Sequence, residues 1–368
     1  MKRALLFGDH TSPHVHKWAA FLEEAGVTTD VVGYGESESL DCYSYSNLIA
    51  RKGRGRGSLK ALGERASDLI LLFSRRYDAA CFHFLTKKYA LYILLSPIPT
   101  VLTCWGSDIF VDLPASKGLD RLIRLRALRK ASRITCDSEA MREAIAEACP
   151  EAVARTEIVY WGVDTGRFKP DPSDGAIREE LRIPAGASVL LSNRLASPHY
   201  RVRELVEQFV CSVRDEDSYL VVRLQPNCPR DYAEECRRAA SSCERIRFLD
   251  RPVADSELAS VYHCADFALH FPKTDATPVS MLEALACGCG ILCSDELASY
   301  ALLENGLELS RLPLAALDDV AIRKAREGCR ERSRRNLVAI EAVYSRTASV
   351  SRLRDIMDGL SNRGKGAV

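Results

Sequence analysis

The fold class of this 368-residue chain is decided by residues 3–35, which read RALLFGDHTSPHVHKWAAFLEEAGVTTDVVGYG. The first six of these residues form a short apolar run that ends in Gly8, which is typical of a buried strand. Residues 14–25 then repeat apolar side chains at helical spacing until Gly26, and residues 28–35 form a second apolar run. A strand, a helix and a strand in this order predict a parallel βαβ layer.

The same alternation continues along the chain. Apolar runs typical of strands lie at residues 77–84, 98–106, 132–138 and 156–163, and helical patterns lie between them at 85–96, 119–131 and 138–149. Around residues 164–188 the periodicity is lost and Pro, Gly and Asp gather, which is typical of a linker. Strands and helices alternate again from residue 188 to residue 294, so the sequence predicts an α/β protein with two tandem doubly wound domains.

We expect the domains to cover residues 1–168 and 169–335, followed by a helical segment at 336–368. Two domains also agree with a length of 368 residues, because a domain averages about 150 residues. The segment beyond residue 320 is helical and basic, and we expect its apolar side chains to pack on a domain.

Composition excludes a disordered or nucleic-acid-coating protein. The chain is 47% hydrophobic and 27% charged, with a formal net charge of +1. Fourteen cysteines occur without any CxxC pair, and we interpret them as reduced and mostly buried, which favours a cytoplasmic location. We expect no signal peptide, and the longest apolar stretch, residues 89–105, is interrupted by Pro97 and Pro99 before it reaches the roughly 20 residues of a membrane span.

Charge is concentrated in residues 51–100, which contain ten Lys or Arg against three Asp or Glu. Four interpretations stay open: a solvated basic face, an acidic acceptor, anionic lipid headgroups and nucleic acid. Few aromatic residues are interleaved, which disfavours nucleic acid. One hypothesis is that Arg51, Arg54 and Arg56, in a Gly/Arg-rich loop, bring the protein to the inner face of a membrane.

The second motif, TDATPVSMLEALACGCGILCS, covers residues 274–294. Thr277 and Pro278 predict a helix start, because Thr can accept a hydrogen bond from free backbone N–H groups and Pro has no N–H to leave unpaired. The helix is expected to continue to Gly288. Its first backbone amides, of Val279 and Ser280, would form a seat for phosphate at the positive end of the helix dipole.

Two carboxylates flank this predicted seat. Glu283 lies four residues into the helix, or about 6 Å along its axis, which suits the ribose of a nucleoside diphosphate. Asp275 precedes the helix and can reach hydroxyls of the group that the diphosphate carries. The alternative stays open that Asp275 only caps the turn and that Glu283 only forms a surface ion pair.

This motif resembles the donor motif of retaining glycosyltransferases of the GT-B fold, family four. Three further segments match the family in the required order: YWGVDTGRFKP (160–170), VLLSNRLASPHYRVRELVEQF (189–209) and PTVLTCWGSDIF (99–110). The resemblance implies two Rossmann-like domains that face a central cleft, with an acceptor-binding first domain, a nucleotide-sugar-binding second domain and a C-terminal helix that packs back on the first. Asp275 stands where the family usually has Glu, and Ala276–Pro278 stand where it usually has Gly-Phe-Gly.

The resemblance also implies which residues act on the donor. Arg194 matches the arginine that clamps the donor diphosphate, and Arg201 is preferred over His199 for the lysine that the family has nearby. Asp275, Arg194 and Arg201 are therefore the expected catalytic residues. The alternative for Arg194 is a salt bridge that closes the cleft between the two expected domains.

On the acceptor side, Trp105 replaces the histidine of the family's HGSD loop, and it either stacks on a sugar or is a core tryptophan. Gly106, Ser107 and Asp108 complete this loop.

The loop after the first strand is implied to approach the donor phosphates through Gly8, while His14 and His16 are candidates to face the acceptor. His83 ends a predicted strand at the carboxyl edge, where doubly wound sheets bind ligands. Each histidine has the alternative of an ordinary surface or core position.

The sequence thus predicts a retaining hexosyltransferase that uses a UDP- or GDP-linked sugar, without a metal ion or another cofactor and without nucleic acid as partner. Its acceptor would be a carbohydrate, a lipid-linked sugar or a small molecule. Two alternatives stay open, namely a nucleotide-sugar epimerase or phosphorylase of the same fold and a noncatalytic subunit. A dinucleotide oxidoreductase is disfavoured, because no GxGxxG motif opens a strand–helix turn.

Overall fold

A computed structural model describes residues 2–35, 44–52, 59–74, 76–171 and 173–363. The chain divides into two compact units, Met1–Trp161 with Arg346–Val368 and Gly162–Ser345. These boundaries differ from the expected ones at 168 and 335. Residues just after Trp161 belong to the second unit because Val163 forms a parallel bridge with Ser345, and the ring of Phe168 lies 6.0 Å from that of Tyr262.

The first unit contains a parallel sheet. In chain order its elements are β1 (Lys2–Gly8), α1 (Pro13–Glu24), β2 (Val27–Gly35), β3 (Leu48–Lys52), α2 (Leu59–Phe73), β4 (Ala79–His83), α3 (Lys87–Leu95), β5 (Thr100–Thr103), a π-helix (Asp108–Asp112), α4 (Leu113–Ala115), α5 (Gly118–Lys130), β6 (Arg133–Cys136), α6 (Glu139–Ala148), a 3₁₀-helix (Pro150–Arg155) and β7 (Thr156–Ile158). Within the described residues the strand order is β3-β2-β1-β4-β5-β6-β7.

The strand β1 shows why the sheet is parallel and central. Leu5, Leu6 and Phe7 are all 0% exposed, since helices cover both faces of a parallel sheet and its strands read as continuous apolar runs. The next element, α1, begins at Pro13. Ser12 is its N-cap residue, and the Ser12 side chain accepts a hydrogen bond from the His14 amide (3.2 Å).

Two elements of this unit lie in a stretch where the sequence pattern predicted none. Strand β3 has only five residues, LIARK, and two of them are charged, so no apolar run marks it. Helix α2 buries the charged Asp68 and exposes three of its large apolar side chains, as described below. The Gly/Arg-rich loop at 51–57 falls largely outside the described residues, which stop at Lys52 and resume at Leu59.

The second unit contains another parallel sheet. Its elements are α7 (Ala176–Glu180), β8 (Ser188–Ser192), α8 (Val202–Ser212), β9 (Ser218–Arg223), α9 (Arg230–Ala239), β10 (Ile246–Leu249), a 3₁₀-helix (Asp255–Glu257), α10 (Leu258–His263), β11 (Phe267–His270), α11 (Val279–Ala286), β12 (Gly290–Ser294), α12 (Ala298–Leu303), β13 (Ser310–Leu312), a 3₁₀-helix (Leu314–Ala316), α13 (Asp319–Arg326), α14 (Cys329–Ala339) and a π-helix (Ile340–Tyr344). In the described part of the chain the strand order is β10-β9-β8-β11-β12-β13.

Strand order identifies the functional edge of each sheet. In the first unit the chain moves outward from β1 to β3 and then returns to place β4 on the other side of β1; in the second it does the same around β8 and β11. Ligands of doubly wound sheets bind at the carboxyl ends of the strands where the order reverses. Gly8 and His83 end β1 and β4, while β8 and β11 lead into the segments that carry Arg194 and Asp275.

The last helix, α15 (Arg346–Arg363), packs on the first unit, as the sequence resemblance implied. Arg354 Nη2 donates to the Glu24 carbonyl at the end of α1 (3.1 Å), and Lys2 Nζ donates to the Met357 carbonyl (2.9 Å). In the described part of the chain, no helix combines the length and the apolar character that crossing a membrane requires.

Candidate functional site

Arg194 and the beginning of α11 meet at the switch point of the second sheet. Arg194 Nη1 donates to Ser280 Oγ (2.9 Å) and Nη2 donates to Asp275 Oδ2 (2.9 Å). Its Cζ lies 4.2 Å from the centroid of the Tyr200 ring, in a cation–π contact. Burial is the largest single influence and lowers the pKa of Arg194, but Asp275, Tyr200 and Tyr300 together outweigh it, so the pKa rises above its ordinary value. Three predicted site residues are thus brought together around a permanent positive charge.

Asp275 is held by several donors. Its Oδ2 also accepts from the Tyr300 hydroxyl (3.1 Å), and its Oδ1 accepts from the Ala276 amide (3.0 Å). Ser299 Oγ donates to the Asp275 carbonyl (2.9 Å). Burial and the neighbouring carboxylate raise the pKa of Tyr300 well above its ordinary value, so this hydroxyl keeps its proton and donates. Tyr300 and Ser299 were not found from the sequence, since they lie on α12 and follow no pattern that links them to Asp275.

Helix α11 begins at Val279, as the motif indicated, but Thr277 does not cap it. Pro278 is the N-cap residue, with an extended backbone (φ −72°, ψ 122°), and no side-chain cap bond is formed. Thr277 is one residue too early to reach the first amides, and its buried hydroxyl has no partner among the described residues. The helix ends at Ala286, and Gly288, in the left-handed region (φ +91°), lies beyond it.

The start of α11 presents backbone donors. Helical geometry leaves the first amides, of Val279 and Ser280, without acceptors inside the helix, and the helix dipole adds partial positive charge there. Because Arg194 is bonded to Ser280, its charge is added to the same end of the helix. The arrangement is suited to bind a phosphate group.

Glu283, one turn further along α11, belongs to a hydrogen-bonded chain. The Tyr262 hydroxyl donates to Glu283 Oε2 (2.9 Å) and accepts from Asn193 Nδ2 (2.7 Å), while Arg223 Nη1 donates to Asn193 Oδ1 (3.1 Å). Burial, with Glu283 second, raises the pKa of Tyr262 well above its ordinary value, so Tyr262 remains the donor. The chain fixes the Glu283 carboxylate, and neither Tyr262 nor Arg223 was predicted.

Arg201 forms its ion pair with Glu296 rather than with Asp275. It is the N-cap residue of α8, has left-handed backbone geometry (φ 52°), and its guanidinium lies 3.5 Å from the exposed Glu296 carboxylate. Lys273 is a second cation nearby that the sequence did not single out. Its amide donates to the His199 carbonyl (2.9 Å), it is exposed two residues before Asp275, and in the described residues its ammonium forms no hydrogen bond or ion pair.

Aromatic rings gather at the carboxyl edge of the first sheet. His14 lies 5.1 Å from Trp105 and 4.5 Å from Trp161 between ring centroids, and Trp18 lies 5.4 Å from both His83 and Trp161. Trp105 is half-buried, so part of its surface is open to solvent. The predicted residues His14, His83 and Trp105 therefore share one cluster.

The tautomer of His83 follows from its partner. Trp105 Nε1 is only a donor and lies 3.2 Å from His83 Nδ1, so Nδ1 accepts and the ring proton lies on Nε2. Burial, helped by His14, lowers the pKa of His83 to about 3, and burial followed by Lys17 lowers the pKa of His14 to about 4. Both rings are neutral near pH 7. The buried His83 Nε2 has no partner in the described part of the chain.

Asp108 holds the loop that carries Trp105. Its carboxylate accepts from the amides of Leu85 (2.9 Å), Trp105 (3.0 Å) and Gly106 (3.0 Å), and burial raises its pKa in spite of these bonds. Gly106 has a φ of +122°, which strongly favours glycine. Asp108 is fully buried, so its position is explained by support of the loop, whereas Ser107 is exposed.

Gly8 and His16 have other surroundings. A Cβ on Gly8 would lie 2.7 Å from Val15 Cγ2 and 3.4 Å from His83 Cβ, so close packing of α1 on the strand ends requires glycine there. The His16 ring lies 5.5 Å from that of Tyr45, and burial lowers its pKa. The structure thus places a tyrosine ring beside His16.

Cysteines form no site in the described part of the chain. All thirteen cysteines placed there are free and most are buried, as predicted, while Cys42 lies outside it. Among the described residues no group of three or more His, Cys, Asp or Glu side chains is placed to hold a metal ion.

Comparison with known proteins gives one family match and several structures of the same fold. Residues 3–138 match the family described as glycosyl transferase 4-like. HepE of Anabaena, solved in complex with UDP and glucose, superposes with a TM-score of 0.75 at 15% identity, over 98% of this chain and 100% of that chain. A glycosyltransferase of Rickettsia africae ESF-5 superposes with a TM-score of 0.78 at 12% identity, over 100% and 99%. Comparison with curated proteins gives no significant match.

The lipopolysaccharide outer core galactosyltransferase WaaB has the same fold, with a TM-score of 0.69 at 13% identity over 98% of this chain and 99% of that chain. The two parallel sheets and these superpositions show that the chain has the GT-B fold of these glycosyltransferases. Within it, the first unit of this chain is similar to the glycosyl transferase 4-like family, and the resemblance inferred from the motifs is confirmed.

Proposed function

We propose that this protein is a retaining glycosyltransferase that takes a sugar from a nucleoside-diphosphate sugar and passes it to a carbohydrate, a lipid-linked sugar or a small molecule. One observation carries the proposal: Arg194 is bonded to the first turn of α11, with the fixed carboxylate of Glu283 one turn further on. UDP is the first candidate nucleotide because HepE, of the same fold, was solved with UDP, and GDP is the second.

The phosphates are assigned to the start of α11. The amides of Val279 and Ser280 donate to the phosphate oxygens, and Arg194 neutralises the negative charge that grows on the diphosphate as the sugar leaves. Arg194 is already positioned by Asp275 and Tyr200, so little reorganisation is needed during the reaction. Arg201 or Lys273 supplies a second cation.

The ribose is assigned to Glu283. A carboxylate can accept hydrogen bonds from two neighbouring ribose hydroxyls, and Glu283 lies roughly 6 Å along the helix axis from the first residue of α11. Tyr262 orients this carboxylate and keeps it in place. Asp275 orients Arg194, and its remaining lone pairs accept hydrogen bonds from hydroxyl groups of the donor sugar.

The acceptor is assigned to the ring cluster of the first unit. The half-buried Trp105 offers a face on which a sugar can stack, and the exposed Ser107 offers a polar contact, while the buried His83 accepts from Trp105 and so orients its ring. Because His14 and His83 have strongly lowered pKa values, neither acts as a cationic acid near pH 7.

In the proposed reaction the bond between the anomeric carbon and the diphosphate oxygen breaks, and the acceptor oxygen bonds to that carbon on the same face. The acceptor proton passes to the departing diphosphate oxygen. The protein therefore contributes positioning and charge stabilisation, without a dedicated base and without a metal ion.

Thermal-shift measurements with UDP, GDP and ADP and their glucose conjugates test this assignment. A bound nucleotide at 100 times its dissociation constant stabilises the protein by about 2.7 kcal/mol, so the correct base raises the melting temperature. Glu283→Ala should lose the shift, whereas Glu216→Ala, at an exposed position of the same unit, should keep it. Equal shifts in both variants, or no shift with any nucleotide, would contradict the donor site. Turnover of the donor without an acceptor would instead indicate an epimerase.

A further inference from the structure

Helix α2 exposes an apolar stripe. Leu62, Ile70 and Phe73 are 64%, 71% and 56% exposed. Together with Ala66 they follow the spacing of three and four residues that places side chains on one side of a helix. Isolated exposed apolar residues are common, but a stripe along the whole outer side of a surface helix is not.

The inner side of α2 contains a buried, hydrogen-bonded carboxylate, one turn before the buried Leu72. Asp68 is 0% exposed, and its carboxylate accepts from Arg51 Nε on β3 (3.2 Å) and from the Tyr92 hydroxyl on α3 (3.1 Å). Rotating α2 to bury Leu62, Ile70 and Phe73 instead would break both hydrogen bonds and leave Arg51 without its carboxylate. The outward direction of the apolar stripe is therefore a fixed property of this unit.

The apolar surface continues on two neighbouring helices. On α3, Leu91 and Leu95 are 39% and 51% exposed, and on α5, Leu119 and Leu122 are 67% and 40% exposed. Helix α3 lies between the other two: it is bonded to α2 through Tyr92, and it meets α5, whose last residue, Lys130, donates to the Leu94 carbonyl (2.6 Å). Right-handed connections in a parallel sheet place all three helices on the same face of it.

Basic residues accompany these apolar side chains. By sequence α2, α3 and α5 contain nine Lys or Arg against three Asp or Glu. Two of the three acids are engaged, Asp68 by Arg51 and Asp120 by Arg124 (3.2 Å). Lys87 and Arg126 are exposed. An apolar surface with an excess of positive charge fits the headgroup region of an anionic bilayer.

The positive charge of this surface also disfavours the binding of a second copy of this chain to it. A symmetric pair through this surface would bring two positively charged faces together, which is unfavourable. Anionic lipid, by contrast, supplies the opposite charge and an apolar layer in the same place.

We propose that the outer face of α2, α3 and α5 docks on an anionic phospholipid bilayer, with the exposed apolar side chains inserted between the headgroups and the basic side chains beside the lipid phosphates. Of the contact predicted from the sequence, Arg51 is bonded to Asp68, and Arg54 and Arg56 lie outside the described residues. The proposal is independent of the assigned donor site.

Co-sedimentation with vesicles tests it, using phosphatidylcholine alone and phosphatidylcholine mixed with phosphatidylglycerol. Wild type should partition to the mixed vesicles at low salt and weakly to phosphatidylcholine. The double variant I70E/F73E should partition at least about tenfold less, because two apolar contacts become negative charges. V320E/V338E alters two equally exposed valines of the second unit (61% and 71%) and should partition like wild type. K87E/R126E should lose the preference for phosphatidylglycerol.

Since Ile70 and Phe73 are exposed, I70E/F73E should keep the melting temperature and nucleotide binding of wild type, which separates docking from folding and from the donor site. Wild type that stays in the supernatant with every vesicle, or I70E/F73E that sediments like wild type, would overturn the proposal. So would a concentration-dependent dimer in analytical ultracentrifugation that I70E/F73E abolishes, because the face would then belong to a second copy.

Discussion

Arg194 Nη2 lies 2.9 Å from Asp275 Oδ2, and the two side chains are only 14% and 16% exposed. The pair joins the segment after β8 to the segment before α11. Removing one partner of a mostly buried pair leaves the other charge without compensation. We expect Arg194→Ala to lower the free energy of unfolding by on the order of 3 kcal/mol, and the double variant R194A/D275A to lose less than the sum of the single variants.

Urea unfolding of the two single variants and the double variant measures this coupling. Arg194→Lys keeps the charge but cannot bond to Ser280 and Asp275 in the same forked geometry, so it should recover stability more than nucleotide binding. Additive losses in the double variant would show that the two side chains do not depend on each other.

Tyr262 acts through Glu283. We expect Tyr262→Phe to weaken binding of a ribonucleoside diphosphate by roughly tenfold, because the Glu283 carboxylate loses its hydrogen bond and its fixed orientation. Calorimetric titration with UDP and with 2′,3′-dideoxy-UDP checks the cause. If Glu283 binds ribose, the variant should affect UDP much more than the dideoxy compound, and an equal effect on both would remove the ribose assignment.

Arg201 and Lys273 are rival candidates for the second cation. Lys273 has no salt bridge among the described residues, whereas Arg201 lies 3.5 Å from Glu296, so we expect Lys273→Ala to weaken diphosphate binding more than Arg201→Ala. Titration with UDP and with uridine separates phosphate from base contacts, because only UDP binding should change. Arg76→Ala, at an exposed position of the first unit, serves as control. A greater loss in Arg201→Ala would restore the role that the sequence implied.

Gly8→Ala should destabilise the first unit. A Cβ at this position would lie 2.7 Å from Val15 Cγ2, and overpacking of this kind costs about 1–3 kcal/mol. Val15→Ala in the same chain should recover part of the loss. The exposed Gly63 on α2 is the matched control, since its Cβ would meet nothing within 4 Å and alanine there should be neutral or stabilising. Thermal denaturation measures all four proteins.

Acid should destabilise the first unit through its histidines. Burial lowers the pKa of His14 to about 4 and that of His83 to about 3, both from 6.5. Between each lowered pKa and 6.5, the unfolded chain therefore binds more protons than the folded chain. The stabilisation is complete above pH 6.5 and is lost as the pH falls toward 4, by about 1.4 kcal/mol per pH unit for each proton. Urea unfolding at pH 7, 6 and 5 should show a smaller slope in His14→Gln than in wild type. An unchanged slope would exclude His14 as a source.

Local patterns predicted most of the fold. Helix α1 and strand β1 were found because apolar spacing and a closing glycine act within a few residues of each other. The helix start at Val279 was found from Pro278, although the cap expected from Thr277 is not formed. Strand β3 and helix α2 were missed. In α2 the buried Asp68 is bonded to Arg51 and Tyr92, and those partners come from other elements, so the helix shows no clear apolar period of its own.

The sequence by itself determined the alternation of strands and helices, the class of the fold and the position of Glu283 within its helix, because each depends on neighbours along the chain. Only the tertiary structure decided that Arg194 meets Asp275, 81 residues away. It also decided that Tyr262 donates to Glu283, that Tyr300 donates to Asp275, and that the apolar stripe of α2 is exposed. These contacts depend on which strand ends the sheet brings together, and hydrogen bonds between distant residues leave no period in the sequence.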